Sequence, residues 1–331
     1  MNMKAVLSCA ASATRLLKHA AAGVLGLVLI GAGPALSAYP EKPITIICAS
    51  GAGGIVDVTT RLLAEHMSNS LGRSIIVENQ PGAGTTIAIK TVAQAAPDGY
   101  TLLVIGSSVS VVKEMFPQLN ADVLKDLAPV SMMAVAPMVL LVHSSVPATD
   151  YSSLVAFAKA NPSKLSVGSN GRGSAGYLAA ELMKKMAGAP IKYIPYRTTP
   201  EAQNDLISGR LSMMFTTPMT DHIASGTLKA IGSTTVDRTH LLPEVPTFHE
   251  LGLKGFDASS WSSMFAPAGT PPEVLGKLAR AVQAAVADPA IKEKFKSLGL
   301  VEPPGLGPDF HRTYLEQDVK KWTELLRSTP D

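Results

Sequence analysis

Cysteine is scarce. The 331 residues hold two, Cys9 and Cys48, too few for a disulfide framework or a Cys-rich metal cluster. Charged residues are sparse as well, 17% against 46% hydrophobic, which excludes a disordered chain, and the 27 Gly show no collagen-like period. No H-E-x-x-H occurs, and His66, His143, His222, His240, His249 and His311 are scattered, none at ligand spacing with Cys or Asp. No metal and no cofactor is therefore expected. Nor is there a G-x-x-x-x-G-K-[ST], and Gly51-Ala52-Gly53 is followed by Val56 where G-x-G-x-x-G requires glycine. Around Ser174 the nucleophile-elbow pattern G-x-S-x-G fails at its first position, Arg172.

What is present begins with a secretory pattern. Lys4, Arg15 and Lys18 precede an uncharged stretch from Ala20 to Ala38 with the apolar heart Val24–Ile30. Pro34-Ala35-Leu36-Ser37-Ala38 then offers small residues for cleavage after Ser37 or Ala38, so residues 1–38 read as a signal peptide. An uncleaved anchor is the rival, since the run approaches the ~20 residues that span a bilayer. Removing the three basic residues leaves 26 positive against 26 negative side chains, so the formal +3 of the full chain is no argument for nucleic acid. Cys48, inside the apolar run Ile44–Cys48, reads as a small buried hydrophobe rather than a nucleophile.

Past residue 38 one grammar repeats: a short β-branched run, a small-residue loop, then a stretch with helical periodicity. Ile44–Cys48 leads through Ala49-Ser50-Gly51-Ala52-Gly53-Gly54 into Ile55, Val58, Leu62, Leu63, Met67 and Leu71 at helical spacing, with Gly72 as the stop. Ser74–Val77 leads into Asn79–Gly84, and Tyr100–Ile105 into Gly106-Ser107-Ser108. After Pro162 the grammar resumes: Leu165–Val167 opens into Gly168–Ser174, Ile191–Ile194 into Pro195–Thr199, and Leu211–Phe215 into Thr216-Thr217. Pro129–Val146 suits an extended crossing segment, and a second crossing is expected near Phe256–Phe265. Alternating strand and helix predicts an α/β protein of two lobes, each a mainly parallel sheet flanked by helices. The tail helix, with Phe310, Tyr314, Val319, Trp322 and Leu326 on one face, is expected to pack on the first lobe.

Ligands of open parallel sheets bind beyond the carboxyl ends of the strands, where these Gly/Ser/Thr loops lie. Free N–H groups at helix N-termini receive anions. The first loop has no Lys, and Asp57 follows it, which disfavours a polyphosphate and favours a carboxylate. Asp57 itself reads first as a cap for the helix, with ligand contact as the lesser role. Arg172, the one charged side chain of the Gly171–Ser174 loop, is placed to take the distal carboxylate of a diacid.

These loops also carry a resemblance. Tyr39-Pro40-Glu41-Lys42-Pro43-Ile44, Gly53-Gly54-x-x-Asp57, Glu78–Gly84, Ala95–Leu103, Tyr193–Tyr196, Leu242–Thr247 and Phe265–Pro271 together resemble the Bug family, the periplasmic solute-binding proteins of tripartite tricarboxylate transporters. The resemblance implies a Venus-flytrap receptor of the periplasm without chemistry of its own, serving a membrane permease or a sensor. It implies lobe 1 from residues 39–142 plus 259–331 and lobe 2 from 143–258. It also implies a ligand held by the first two strand-to-helix loops, with the second lobe adding Ser169–Ser174 and Thr216-Thr217. The expected ligand-binding set is Ser50, Gly51, Gly53, Gly54, Asp57, Gly84, Thr85, Thr86, Ser107, Ser169, Asn170, Arg172, Ser174 and Thr217. A monomer is expected.

The chain departs from the family pattern at Ala49-Ser50, Ile55-Val56, Thr85-Thr86 and Arg197-Thr198. Loss of a Phe at position 50 widens the space by the first loop, and Ile55 and Val56 make its wall more apolar. These changes speak against an amino-acid ligand and point toward a larger or flatter acid, such as an aromatic carboxylate. The rival function is a secreted serine-type hydrolase of a small ester or amide, with Ser174 or Cys48 as nucleophile.

Overall fold

Thr45, Ile46 and Ile47 make the run Ile44–Cys48 a natural central strand, and in the computed structural model it is β1, buried at Ile44, Ile46, Ile47 and Cys48. The structure describes residues 39–118 and 122–328, so the expected signal peptide and its cleavage positions lie outside the described residues. The chain divides into two compact units, Met1–Glu41 and Lys42–Asp331, and the sheets, helices and cleft belong to the second. No described helix is long and apolar enough to cross a membrane.

β1 pairs in parallel with β2 (Ile75–Asn79) and β3 (Thr101–Gly106), placing Ile46 opposite Val77 and Leu102. The sheet is completed by β10 (Ser260–Pro267), antiparallel to both β3 and β4 (Leu127–Ala136), in the order β2-β1-β3-β10-β4. A second five-stranded sheet has the order β7-β6-β8-β5-β9, from β5 (Val139–His143), β6 (Ser166–Ser169), β7 (Lys192–Pro195), β8 (Met213–Thr216) and β9 (Leu228–Ser233). Here β6 runs parallel to β7 and β8, and β5 is antiparallel to β8 and β9. Each sheet therefore has one reversed strand, second from its edge. In both cases it is the strand that has just crossed from the other lobe.

The longer helices are α1 (Ile55–Leu71), α2 (Thr86–Ala93), α3 (Tyr151–Ala160), α4 (Ala175–Ala187), α5 (Thr199–Ile207), α6 (Pro272–Ala287), α7 (Pro289–Ser297) and α8 (Pro308–Arg327). In α1 the buried face is Thr60, Leu63, Ala64 and Met67, and the helix stops at Gly72, whose φ of 66° is the left-handed cap a glycine reaches without strain.

Two expectations need correction. The boundary between lobes was expected at residues 142 and 143, yet all of Val139–His143 belongs to the second sheet, so the first crossing falls at Pro137-Met138. Leu127–Val142 is buried throughout, so no change of composition marks the crossing. Pro137, which has no N–H to donate, sits in the gap between the two strands. Thr234 ties the two crossings together: its N–H donates to Met138 O at 2.9 Å and its carbonyl accepts from Ala258 N at 3.2 Å.

The second correction concerns the tail. Leu315, with Phe310, Tyr314 and Val319, joins the apolar cluster of the first lobe, but Trp322, Leu325 and Leu326 join that of the second. Twenty residues of helix reach about 30 Å, and with its first half in one cluster and its last turns in the other, α8 bridges both lobes.

Candidate ligand cleft

The small-residue loops meet in one cleft of about 910 Å³ between the two sheets. Most of its lining loops leave the carboxyl end of a strand: Ala49–Ala52 and Gly54 after β1, Pro81, Gly82, Gly84 and Thr85 after β2, Gly106–Ser108 after β3, Asn170 and Arg172–Gly176 after β6, Arg197–Pro200 after β7, and Thr217 after β8, with Ala136, Met138 and Ser260 added by the crossings. Four helices begin there. Gly54 to Val56 open α1, Thr85 precedes α2, Ser174 to Gly176 open α4, and Thr198 to Pro200 open α5. The first N–H groups of each have no partner within the helix, and the helix dipole adds positive potential at the same ends.

The first loop is held from behind. The Asp57 carboxylate accepts from Gly53 N at 2.8 Å, from Asn79 Nδ2 at 2.8 Å and from Arg61 Nε at 3.0 Å, while the same Asn79 amide donates to Ser50 O at 2.9 Å. Burial pushes the Asp57 carboxyl upward, but the bonds from Asn79, Gly53 and Arg61 outweigh it and hold the group below the ordinary carboxylate range. One buried anion thus fixes the backbone of the loop without entering the cleft. In the second lobe Ser174 Oγ accepts from Tyr177 N at 3.3 Å, capping α4, and donates to Gly171 O at 2.8 Å. Ser169, 1% exposed, lies beneath that loop and bonds the Tyr193 hydroxyl at 2.9 Å.

Of the expected residues, Ser50, Gly51, Gly54, Gly84, Thr85, Ser107, Asn170, Arg172, Ser174 and Thr217 line the cleft. Gly53, Asp57, Thr86 and Ser169 do not, and each has a local reason. The Gly53 N–H is taken by Asp57, which clamps the loop rather than capping α1; Thr86 Oγ1 donates to Ala83 O at 2.8 Å; Ser169 is covered by the loop it supports. The expected set omits Val111, Met115, Phe116, Met138, Arg197 and Gln203, all in the lining. Arg197 had a signal, since its loop follows a predicted strand. The apolar residues had none, because only tertiary packing turns them toward the cleft.

The nucleophile candidates lack activation. Ser174 Oγ bonds Ser169 Oγ, Gly171 O and Tyr177 N, none of them a general base. Cys48 is fully buried and burial pushes its thiol upward, the opposite of what a reactive cysteine needs.

Two sheets of matching strand order, joined by two crossings and facing each other across helix N-termini, define a two-lobed α/β solute-binding fold. Residues 59–329 match the tripartite tricarboxylate transporter family receptor, and the chain belongs to that family. BugT of Bordetella pertussis is 35% identical over 314 residues, covering 92% of this chain and 96% of its own. The structure of the periplasmic binding protein BugD is 33% identical, with a TM-score of 0.74, covering 87% of this chain and 98% of that one. MatC of Rhodopseudomonas palustris, solved with bound malate, is 29% identical with a TM-score of 0.75, covering 87% and 99%. An R. palustris protein solved with adipate is 28% identical with a TM-score of 0.77, covering 87% and 97%.

Proposed function

We propose that this receptor captures a small carboxylate, a mono- or diacid with an aliphatic or aromatic body, in the periplasm. It hands the ligand to the membrane permease of a tripartite tricarboxylate transporter, or reports it to a sensor. One observation carries the reading: four helix N-termini and two arginines, Arg172 and Arg197, face a cleft whose lining, among the described residues, contains no Asp or Glu. An acid finds donors on both walls, and the structures solved with malate and adipate support the class. The first carboxylate is held by backbone N–H groups of the Ser50–Val56 loop, that of Gly53 excepted, and of the Gly84–Thr85 loop, with Ser107 beside them. The second lobe supplies Asn170, Arg172, Ser174 and Thr217.

The protein acts by binding and closure, without turnover, after removal of residues 1–38. The test is a thermal-shift and calorimetric screen of mono- and diacids on the purified protein, alongside a panel of esters. A true ligand at 100 times its Kd should add about 2.7 kcal/mol to stability. Saturable binding of an acid without ester turnover is the expected result. Turnover abolished by Ser174→Ala would overturn it in favour of the hydrolase, and no stabilisation by any acid would overturn the ligand class.

A further inference from the structure

Building on the carboxylate reading, we propose that Arg197 is a specificity-determining residue. Together with Arg172 it makes the cleft select acids by net charge, favouring a second negative group and rejecting acids that carry an ammonium.

The argument begins with what the lining can offer a cation. Among the described residues its charged side chains are Arg172 and Arg197, on two different loops of the second lobe, and the positive ends of the four helices lie at the same cleft. Carboxylates close to these loops have partners outside the cleft, Asp205 among them, which accepts from the Tyr196 hydroxyl at 3.0 Å and pairs with Arg210. Asp57 is 3% exposed and lies behind the first loop, where it is paired with Arg61 and bonded to Gly53 and Asn79. Glu201 stands outside the lining and accepts from the backbone N–H of Arg197 at 3.2 Å. An α-ammonium in the cleft would lose water and meet the Arg197 guanidinium and the positive ends of four helices, with no Asp or Glu among the described lining residues to answer it. A second carboxylate would meet the opposite situation.

Position sets the division of labour. Arg172 belongs to the loop that precedes α4, and Arg197 to the loop that precedes α5, so the second lobe presents its two cations from separate strand ends, β6 and β7. The lining also holds apolar side chains, Val111, Val112, Met115, Phe116 and Met138, with Phe116 against Gly84 of the first lobe and Val111 and Met115 against Gly173 of the second. A ligand fixed by one carboxylate in the first lobe therefore has these apolar side chains for its body and the arginines of the second lobe for its far end. Discrimination is charge-based at that far end and rests on Arg197 as well as Arg172, so a lysine at 197 should preserve it.

The experiment is calorimetry on the full mature chain with skeleton-matched probes: glutarate against glutamate, adipate against 2-aminoadipate, and terephthalate against 2-aminoterephthalate as a neutral-amine control. Wild type, Arg197→Gln and Arg197→Lys are compared at two ionic strengths. For the pair whose diacid binds, wild type should bind the ammonium analogue at least about tenfold more weakly. Arg197→Gln should weaken the diacid several-fold, narrow the gap to its analogue and flatten the salt dependence, while Arg197→Lys should keep the gap. Equal affinity for glutarate and glutamate, or for adipate and 2-aminoadipate, would overturn charge selection while leaving the carboxylate receptor intact. An unchanged gap in Arg197→Gln would remove Arg197 from it. Failure of all six probes would fall on the carboxylate reading itself and take the inference with it.

Discussion

Asp318 Oδ2 accepts a hydrogen bond from Ser110 Oγ at 2.7 Å, joining the bridging helix to the turn that follows β3. The same oxygen accepts from Trp261 Nε1 at 3.3 Å, and Oδ1 pairs with Lys321 at 2.8 Å. Ser107, Ser108 and Val111 of that turn line the cleft, so α8 braces one wall of the site from behind. Asp318→Ala leaves the buried Ser110 and Trp261 donors without their acceptor and should lower the unfolding free energy by about 2–4 kcal/mol. Ser110→Ala removes one bond and should cost about 1 kcal/mol. Urea unfolding measures both, and equal small losses would show that the helix does not brace the turn through this carboxylate.

Asp57 gives a pH test. Its folded carboxyl lies below the unfolded value of about 3.9, so its stabilisation is fully present above that value and is lost as pH falls through the lower folded one. Asp57→Asn should therefore be less stable than wild type at pH 7, and the difference should shrink only on acidification below about pH 4. Thermal melts of the two proteins from pH 7 to pH 3 decide it. A gap that does not shrink with acidification would mean that the charge is not what holds the loop.

Gly84 has a φ of 62°, and a Cβ there would collide with the Phe116 ring. Gly84→Ala must strain the backbone by about 1–2 kcal/mol and also push the Phe116 ring out of its place in the cleft wall. In a Phe116→Ala background the steric part disappears and the substitution should cost visibly less. A double-mutant cycle in urea reads this coupling, and additive costs would mean that the ring swings aside freely.

Arg172→Ala tests the distal contact separately from Arg197. A diacid should lose about tenfold or more in affinity and the matching monoacid much less, because only the diacid has a second carboxylate to present. Calorimetry on both acids with both proteins closes the cycle. Equal losses would strike Arg172 from the set that reads the ligand's far end.

Much of the architecture is legible in the sequence. The β-branched runs and the Gly/Ser loops after them mark the loop-bearing strands, because strand propensity and turn chemistry act over a few residues. The cleft loops could be named for the same reason, since Ala49–Gly54, Asn79–Gly84 and Gly168–Ser174 each sit between a strand pattern and a helix pattern. Asp57 shows where this stopped: its position at the start of α1 suggested a cap, and only the return of Asn79 at the end of β2 makes it a clamp.

By itself, then, the sequence determined the alternation of strands and helices, the doubling into two lobes and the loops that carry donors. These follow from local preferences and from periods of 2 and 3.6 residues. Tertiary structure alone decided that the lobe boundary falls at Pro137-Met138, that β5 and β10 run against their sheets, and that Trp322 and Leu325 join the second lobe while Leu315 stays with the first. It also decided that Phe116, Met115 and Arg197 share a wall with residues far away in sequence. Such facts depend on contacts between segments distant in sequence, as where Val139 pairs with Thr216 and Ser233. A run that is apolar in both lobes carries no mark of which sheet it will join, because burial alone does not distinguish one core from the other.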